Sequence, residues 1–205
     1  MGFAKHDFVA LRLRFLKQDD FEQIDHLVAA VGSYVSRAKA ELADKHASLA
    51  ADAELDQSLQ GFEEMLIGDE VGFYEELKPL ASELSIVALY KRIEILTKRA
   101  VTTAHPSINP AQLFKFNQLK AALLATGLDL QTVSNYVAAD ETRALNNCVK
   151  HSGKVSEELA AYPGWTLGEP LGDLERAYVR LAPLCLDYIN DLIEKLIEQR
   201  LNSSV

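Results

Sequence analysis

Cysteine, proline and glycine are scarce in this sequence. Its 205 residues include two cysteines, six prolines and ten glycines. Two cysteines without Cys-x-x-Cys spacing provide neither a disulfide framework nor a metal cluster, so we expect buried free thiols in a reducing cytoplasm. An all-β chain needs turn residues roughly every 8 to 12 positions. The scarcity of glycine and proline therefore favours α-helices.

Long apolar runs are also absent. No window approaches the roughly 18 uncharged apolar residues of a transmembrane helix. The stretch from Phe8 to Leu16 is interrupted by Arg12 and Arg14, which is unlike the continuous apolar run of a signal peptide. We therefore expect a soluble, cytoplasmic protein that does not associate with a membrane.

The sequence lacks the short motifs of the common enzyme classes. It contains no glycine-rich phosphate loop, no His-Glu-x-x-His zinc pair and no Gly-x-Ser-x-Gly nucleophile turn. We accordingly expect no metal and no cofactor. The formal charge of −9 repels nucleic acid at long range, so any contact with RNA must be local.

Helical periodicity is the main signal that the sequence does contain. Apolar residues recur at spacings of three and four along most of the chain. The sequence predicts a single all-α domain over residues 1–205, built as a bundle of about six to eight helices. Within it, residues 1–70 are a candidate N-terminal helical arm and residues 80–200 a candidate core.

Glycine and proline locate several predicted boundaries. Gly61, Gly68 and Gly72 predict a short helix flanked by turns, and Pro79 predicts the first turn of the next helix. Further along, a helix is predicted between Asn109 and Gly127, and another that ends at His151. A last long helix is predicted from Asp173, after an irregular loop that Trp165 packs against the core.

The helix that ends at His151 carries the most informative polar residues. At 100° per residue, Arg143, Asn147, Lys150 and His151 fall within about 100° of one another. A histidine held by Asn147 is a candidate general acid or base, and the neighbouring cations are candidate phosphate ligands. The alternative is structural, with Asn147 and His151 forming buried hydrogen bonds that terminate the helix.

Three segments together resemble the HEPN superfamily of helical-bundle proteins. They are LSIVALYKRIEIL from Leu84, LFKFNQLKAALLATGLDL from Leu113 and LNNCVKHSGK from Leu145. The resemblance covers residues 80–200 and implies an HEPN-like bundle. Members of the superfamily carry an Arg, four to six intervening residues and a His near the end of a helix. Many are dimeric, metal-independent ribonucleases of toxin–antitoxin or antiviral systems.

The resemblance implies a site on this helix. His151, Arg143 and Asn147 are the implied catalytic residues, and Lys150, Asn146 and Lys154 the implied substrate contacts. The implied function is RNA binding or metal-independent RNA cleavage in bacterial defence or stress. The implied partners are RNA, a second copy of the chain in a homodimer and an antitoxin-like protein, with neither a metal nor a membrane.

This chain departs from the superfamily pattern at the arginine. Asn146 occupies the position of the arginine under the shortest spacing, and seven residues separate Arg143 from His151. Arg143 or Lys150 is then the candidate phosphate ligand, although a lysine lacks the bidentate geometry of arginine. The competing hypothesis is a helical protein-interaction module without catalytic activity.

Overall fold

The computed structural model describes residues 5–17, 20–51 and 56–202. These residues form seven α-helices and contain no β-strand, with 81% of the structure helical. The predicted all-α class and number of helices are therefore confirmed. Among the described helices, none combines the length and the apolar character that crossing a membrane requires.

The helices follow one another with short connections. They are α1 (Lys5–Leu16), α2 (Glu22–Ala51), α3 (Gln57–Ala104), α4 (Phe116–Ala125), α5 (Tyr136–His151), α6 (Glu157–Ala160) and α7 (Leu174–Asn202). Two 3₁₀ turns, Pro110–Leu113 and Leu130–Thr132, precede α4 and α5. The sequence analysis does not predict α1. Of the apolar residues in this helix, only Leu13 is fully buried.

The chain divides into two compact units. The smaller unit is Glu22–Ser85, and the larger unit comprises Met1–Phe21 and Ile86–Val205. Helix α1 belongs to the larger unit, where Lys17 forms a 2.5 Å ion pair with Glu194 of α7. The expected boundaries of an arm at 1–70 and a core at 80–200 differ from this division.

The larger unit is built around α5 and α7, which pack against each other. Its core contains large side chains that are completely inaccessible to solvent: Ile86, Leu89, Leu96, Leu123, Leu145, Leu181 and Ile189. Burial of each such side chain contributes about 1.5 to 3 kcal/mol. The two cysteines, Cys148 and Cys185, are buried free thiols in this core, as predicted.

The smaller unit is an antiparallel hairpin of α2 and the first part of α3. Ion pairs of 2.8 Å and 3.0 Å join Lys39 to Glu75 and Lys45 to Glu63. The order of these partners, rising along α2 and falling along α3, fixes the antiparallel direction. Small and branched residues are buried in this unit: Val35, Ala38, Leu42, Ile67 and Ala81.

Helix α3 corrects the prediction of a short helix flanked by turns. Gly61, Gly68 and Gly72 all lie inside one continuous helix, and Pro79 lies in its interior instead of its first turn. A glycine in a helix costs about 0.5–1 kcal/mol relative to alanine, and an interior proline about 3 kcal/mol. The ion pairs and apolar contacts with α2 offset these local preferences.

The boundaries near α4 and α5 depend on local capping. The side chain of Asn109 accepts a 2.9 Å hydrogen bond from the amide of Ala111, as its predicted capping role requires. The predicted helix is interrupted, however, because Lys115 is extended and α4 begins only at Phe116. Helix α5 ends at His151 as predicted, and Gly153 then adopts a φ of +63°, a conformation that favours glycine.

Candidate functional site

The polar face of α5 lies where the sequence predicts it. Arg143 and Asn147 are half-buried, Lys150 and His151 are exposed, and Ala144 is buried next to this face. The predicted stripe thus runs along the border of the core.

Asn146 does not lie on this polar face. It is only 2% exposed, on the side of α5 that faces the interior. A buried side chain at this position does not reach a substrate at the surface, which does not fit the predicted role of Asn146 as a substrate contact.

Arg143 is held by two carboxylates. Its Nε donates a 2.8 Å hydrogen bond to Oδ1 of Asp140, and its other nitrogens donate to Glu158 at 2.5 and 3.4 Å. The guanidinium also lies 4.9 Å from the centre of the Phe116 ring. With its side chain only 15% exposed, Arg143 has its charge neutralised within the protein.

The pKa of Arg143 reflects this environment. Burial alone lowers the pKa of the guanidinium, but hydrogen bonds and charges from Glu158 and Asp140 outweigh burial and raise it. Arg143 therefore stays protonated and paired, which suits a structural ion pair better than a phosphate ligand.

Two tyrosines complete the surroundings of Arg143. The hydroxyl of Tyr162 donates a 2.8 Å hydrogen bond to Oδ2 of Asp140, and burial followed by this bond raises the pKa of Tyr162. Burial, followed by the charge of Glu94, raises the pKa of Tyr90 to about 12. We call Tyr90, Asp140, Arg143, Glu158 and Tyr162 the Arg143 cluster.

Tyr90 and Glu94 lie one helical turn apart on α3. The charges of the Arg143 cluster act on Tyr90. Glu94 pairs with Lys98 on its own helix at 2.6 Å.

Basic side chains are exposed at and just beyond the carboxyl end of α5. Lys150, His151 and Lys154 are all exposed, and within the described residues none of them forms an ion pair. Nor do Asn147 and His151 share a hydrogen bond in that part of the chain. Asn147 therefore does not orient His151 through a hydrogen bond, and the exposed His151 is not a buried helix terminus.

Arg143 and His151 are not brought together. Eight residues along a helix correspond to a rise of about 12 Å. Asp140 draws the guanidinium toward the start of α5, away from His151. The predicted catalytic pair is thus split into an internal cluster and an exposed helix end.

The second charged cluster of α5 is absent from the sequence-based prediction. Glu141 is 3% exposed and accepts a 2.8 Å hydrogen bond from Nε1 of Trp165. It also accepts bonds of 2.5 and 3.0 Å from Arg180 of α7. The sequence does contain a signal for this cluster. Glu141 falls on the apolar stripe between Val137 and Ala144, where a buried charge needs a partner.

The loop that carries Trp165 forms one wall of a surface cleft. This cleft has a volume of about 360 Å³ and lies beside Arg176 and Arg180. Within the described residues, no three His, Cys, Asp or Glu side chains are grouped so that they could hold a metal.

Comparison of the chain with protein-family models, with curated proteins and with solved structures found no match. The resemblance to the HEPN superfamily and the activity that it implies therefore stay predictions.

Proposed function

We propose that this protein is a helical protein-interaction module without ribonuclease activity. The main support for this proposal is that Arg143 forms ion pairs with both Asp140 and Glu158. An RNA phosphate would have to displace both carboxylates, and each charge-assisted hydrogen bond in such a part-buried site contributes about 1.5–3 kcal/mol. The same carboxylates also repel the phosphate.

Exposed apolar surface supports the interaction role. Large apolar side chains lie open to solvent in the smaller unit, among them Phe62, Met65 and Phe73. A set of such residues along one surface marks a site of contact with another macromolecule.

An RNA cleavage assay tests the proposal. Purified protein at high concentration is incubated with total RNA in the presence of a chelator, and the RNA is examined on a gel. The proposal predicts intact RNA for the wild type and for His151→Ala alike. Cleavage by the wild type that His151→Ala abolishes, and that His26→Ala at another exposed histidine retains, would overturn it.

RNA binding without cleavage is a second candidate, favoured by the exposed end of α5. Lys150, His151 and Lys154 are free of ion pairs in the described structure. The larger unit also carries a formal charge of +1, since the smaller unit alone has fourteen acidic and four basic residues.

Titration with single-stranded RNA at several salt concentrations tests this candidate. Each phosphate contact contributes about 0.7 to the slope of log affinity against log salt. Lys150→Ala with Lys154→Ala should lower that slope by about 1.4. Binding that is unchanged in the double variant would contradict the candidate.

A further inference from the structure

Helix α3 carries an exposed apolar stripe within the smaller unit. The stripe consists of Leu59, Phe62, Leu66, Phe73, Leu80 and Leu84, whose exposed fractions range from 39% to 57%. Four of them, Leu59, Leu66, Phe73 and Leu80, follow one another at seven-residue intervals. At 100° per residue the six positions fall within an arc of about 60°, over about 38 Å of helix.

Packing inside the hairpin does not require this stripe. The buried positions of the same part of α3 are Ile67, Ala81 and Ser85, which lie on another side of the helix. Glu63 and Glu75, which pair with α2, are likewise outside the stripe. Helix α3 therefore has two apolar faces, one used by its own unit and one open.

Aromatic contacts extend the stripe toward α2. The ring of Phe73 lies 5.5 Å from that of Tyr74, and Tyr74 lies 5.8 Å from Tyr34 of α2 in an edge-to-face arrangement. Through Tyr74, Phe73 thus connects the stripe on α3 with an aromatic side chain of α2.

Unpaired carboxylates line one side of the stripe. Asp69, Glu76 and Glu83 also follow one another at seven-residue intervals, next to the apolar positions. All three are exposed, and they form no ion pair within the described part of the chain. The stripe therefore has a negative border over residues 69–83, beside Phe73, Leu80 and Leu84.

The net charge of the smaller unit has the same sign as the carboxylates that border the stripe. Residues 22–85 carry a formal charge of −10, which exceeds the −9 of the whole chain. Such a field attracts cationic partners and repels anionic ones over about a Debye length, roughly 8–10 Å at physiological salt.

We propose that the apolar stripe binds a cationic amphipathic helix of a protein partner. The inference rests on the proposed function as an interaction module and names the partner's chemistry. Apolar residues of the partner at spacings of three, four and seven would cover the stripe, and flanking lysines or arginines would pair with Asp69, Glu76 and Glu83. A second copy of this chain would place carboxylates against carboxylates, and the same carboxylates disfavour an anionic membrane.

Two synthetic peptides provide the direct test. Both are helical, about 25 residues long, and share leucines spaced as in the stripe. One has lysine and the other glutamate at the flanking positions. The proposal predicts that the lysine peptide binds the full-length protein about tenfold or more tightly than the glutamate peptide, and that salt weakens its binding.

Variants at exposed positions locate the binding surface. Phe73→Asp should weaken binding of the lysine peptide about tenfold or more, whereas Leu124→Asp, at an equally exposed leucine of α4 in the larger unit, should not. The triple variant Asp69→Lys, Glu76→Lys, Glu83→Lys should reverse the preference between the two peptides. Circular dichroism spectra of each variant verify that it is folded.

Three outcomes would overturn the inference: equal affinity for both peptides, a self-association that Phe73→Asp abolishes, or binding to vesicles with anionic lipid that the triple lysine variant weakens. RNA is incubated with the same protein preparation. Intact RNA without peptide binding rejects the stripe but retains the proposed function, whereas RNA cleavage rejects the proposed function itself.

Discussion

Two ionic clusters connect α5 with the segments around it. The Arg143 cluster joins α5 to α6 and to Tyr162, and Glu141 joins α5 to Trp165 and Arg180. A charge-assisted hydrogen bond in a part-buried site contributes about 1.5–3 kcal/mol. At the scale of residues, the conspicuous polar groups of α5 therefore act mainly in stability.

Tyr90, the member of the Arg143 cluster that lies on α3, should make the folded state less stable at alkaline pH. The pKa of Tyr90 is raised from 10.0 to about 12, mainly by burial. A raised pKa means that the folded state retains a proton which the unfolded chain loses above pH 10. The stabilising contribution is complete below pH 10 and is lost as the pH rises toward 12.

Urea unfolding at a series of pH values between 9 and 12 checks this. The free energy of unfolding of the wild type should fall as the pH rises from 10 to 12, and the fall should be smaller in Tyr90→Phe. Identical slopes for the two proteins would show that Tyr90 does not contribute.

At the scale of elements, the continuity of α3 is the least expected feature. Gly72 lies inside the helix, and a Cβ added there meets nothing within 4 Å. Gly72→Ala should therefore raise the free energy of unfolding by about 0.5–1 kcal/mol.

Gly153 provides the matched control for this substitution. A Cβ there also meets open space, but the φ of +63° disfavours any other residue. Gly153→Ala should lower the free energy of unfolding by about 1 kcal/mol. If Gly72→Ala lowered the urea midpoint as Gly153→Ala does, α3 would not be continuous at Gly72 as described.

Local signals predict some elements and not others. The capping of Asn109 and the end of α5 before Gly153 depend on neighbouring residues, so the sequence reveals them. The interior of α3 depends on partners in α2, such as Lys45 for Glu63, and local glycine and proline preferences mislead there.

The candidate site, like the helices, is predictable from the sequence only in part. Helical periodicity is enough to predict the polar face of α5 and the position of His151 at its end. Glu158 pairs with Arg143 from 15 residues away in the chain, and Tyr162 forms a hydrogen bond with Asp140 from 22 residues away. No spacing rule connects residues so far apart, so the pairing of Arg143 is visible only in the structure.

At the scale of the whole molecule, charge is distributed very unevenly. The smaller unit carries −10 and the larger unit +1, although the composition of the chain as a whole is only moderately acidic. Like charges within the smaller unit repel one another and reduce its stability.

Salt should relieve this repulsion. Raising NaCl from about 0.05 M to about 0.5 M shortens the Debye length to about 4 Å. The melting temperature, followed by circular dichroism, should rise by about 2–4 °C, equivalent to about 1 kcal/mol. A fall in melting temperature would indicate that attractive pairs such as Lys39 with Glu75 outweigh the repulsion.

Arg143, paired with Asp140 and Glu158, should stabilise the fold. Urea unfolding of Arg143→Ala tests it most directly, with Arg176→Ala, an 86% exposed arginine of α7, as the control. Loss of the guanidinium leaves Asp140 and Glu158 unpaired, so the free energy of unfolding should fall by about 2–4 kcal/mol. The control should change by no more than about 0.5 kcal/mol. An Arg143→Ala protein as stable as the wild type would show that Arg143 does not stabilise the fold, and Arg143 would again be a candidate phosphate ligand.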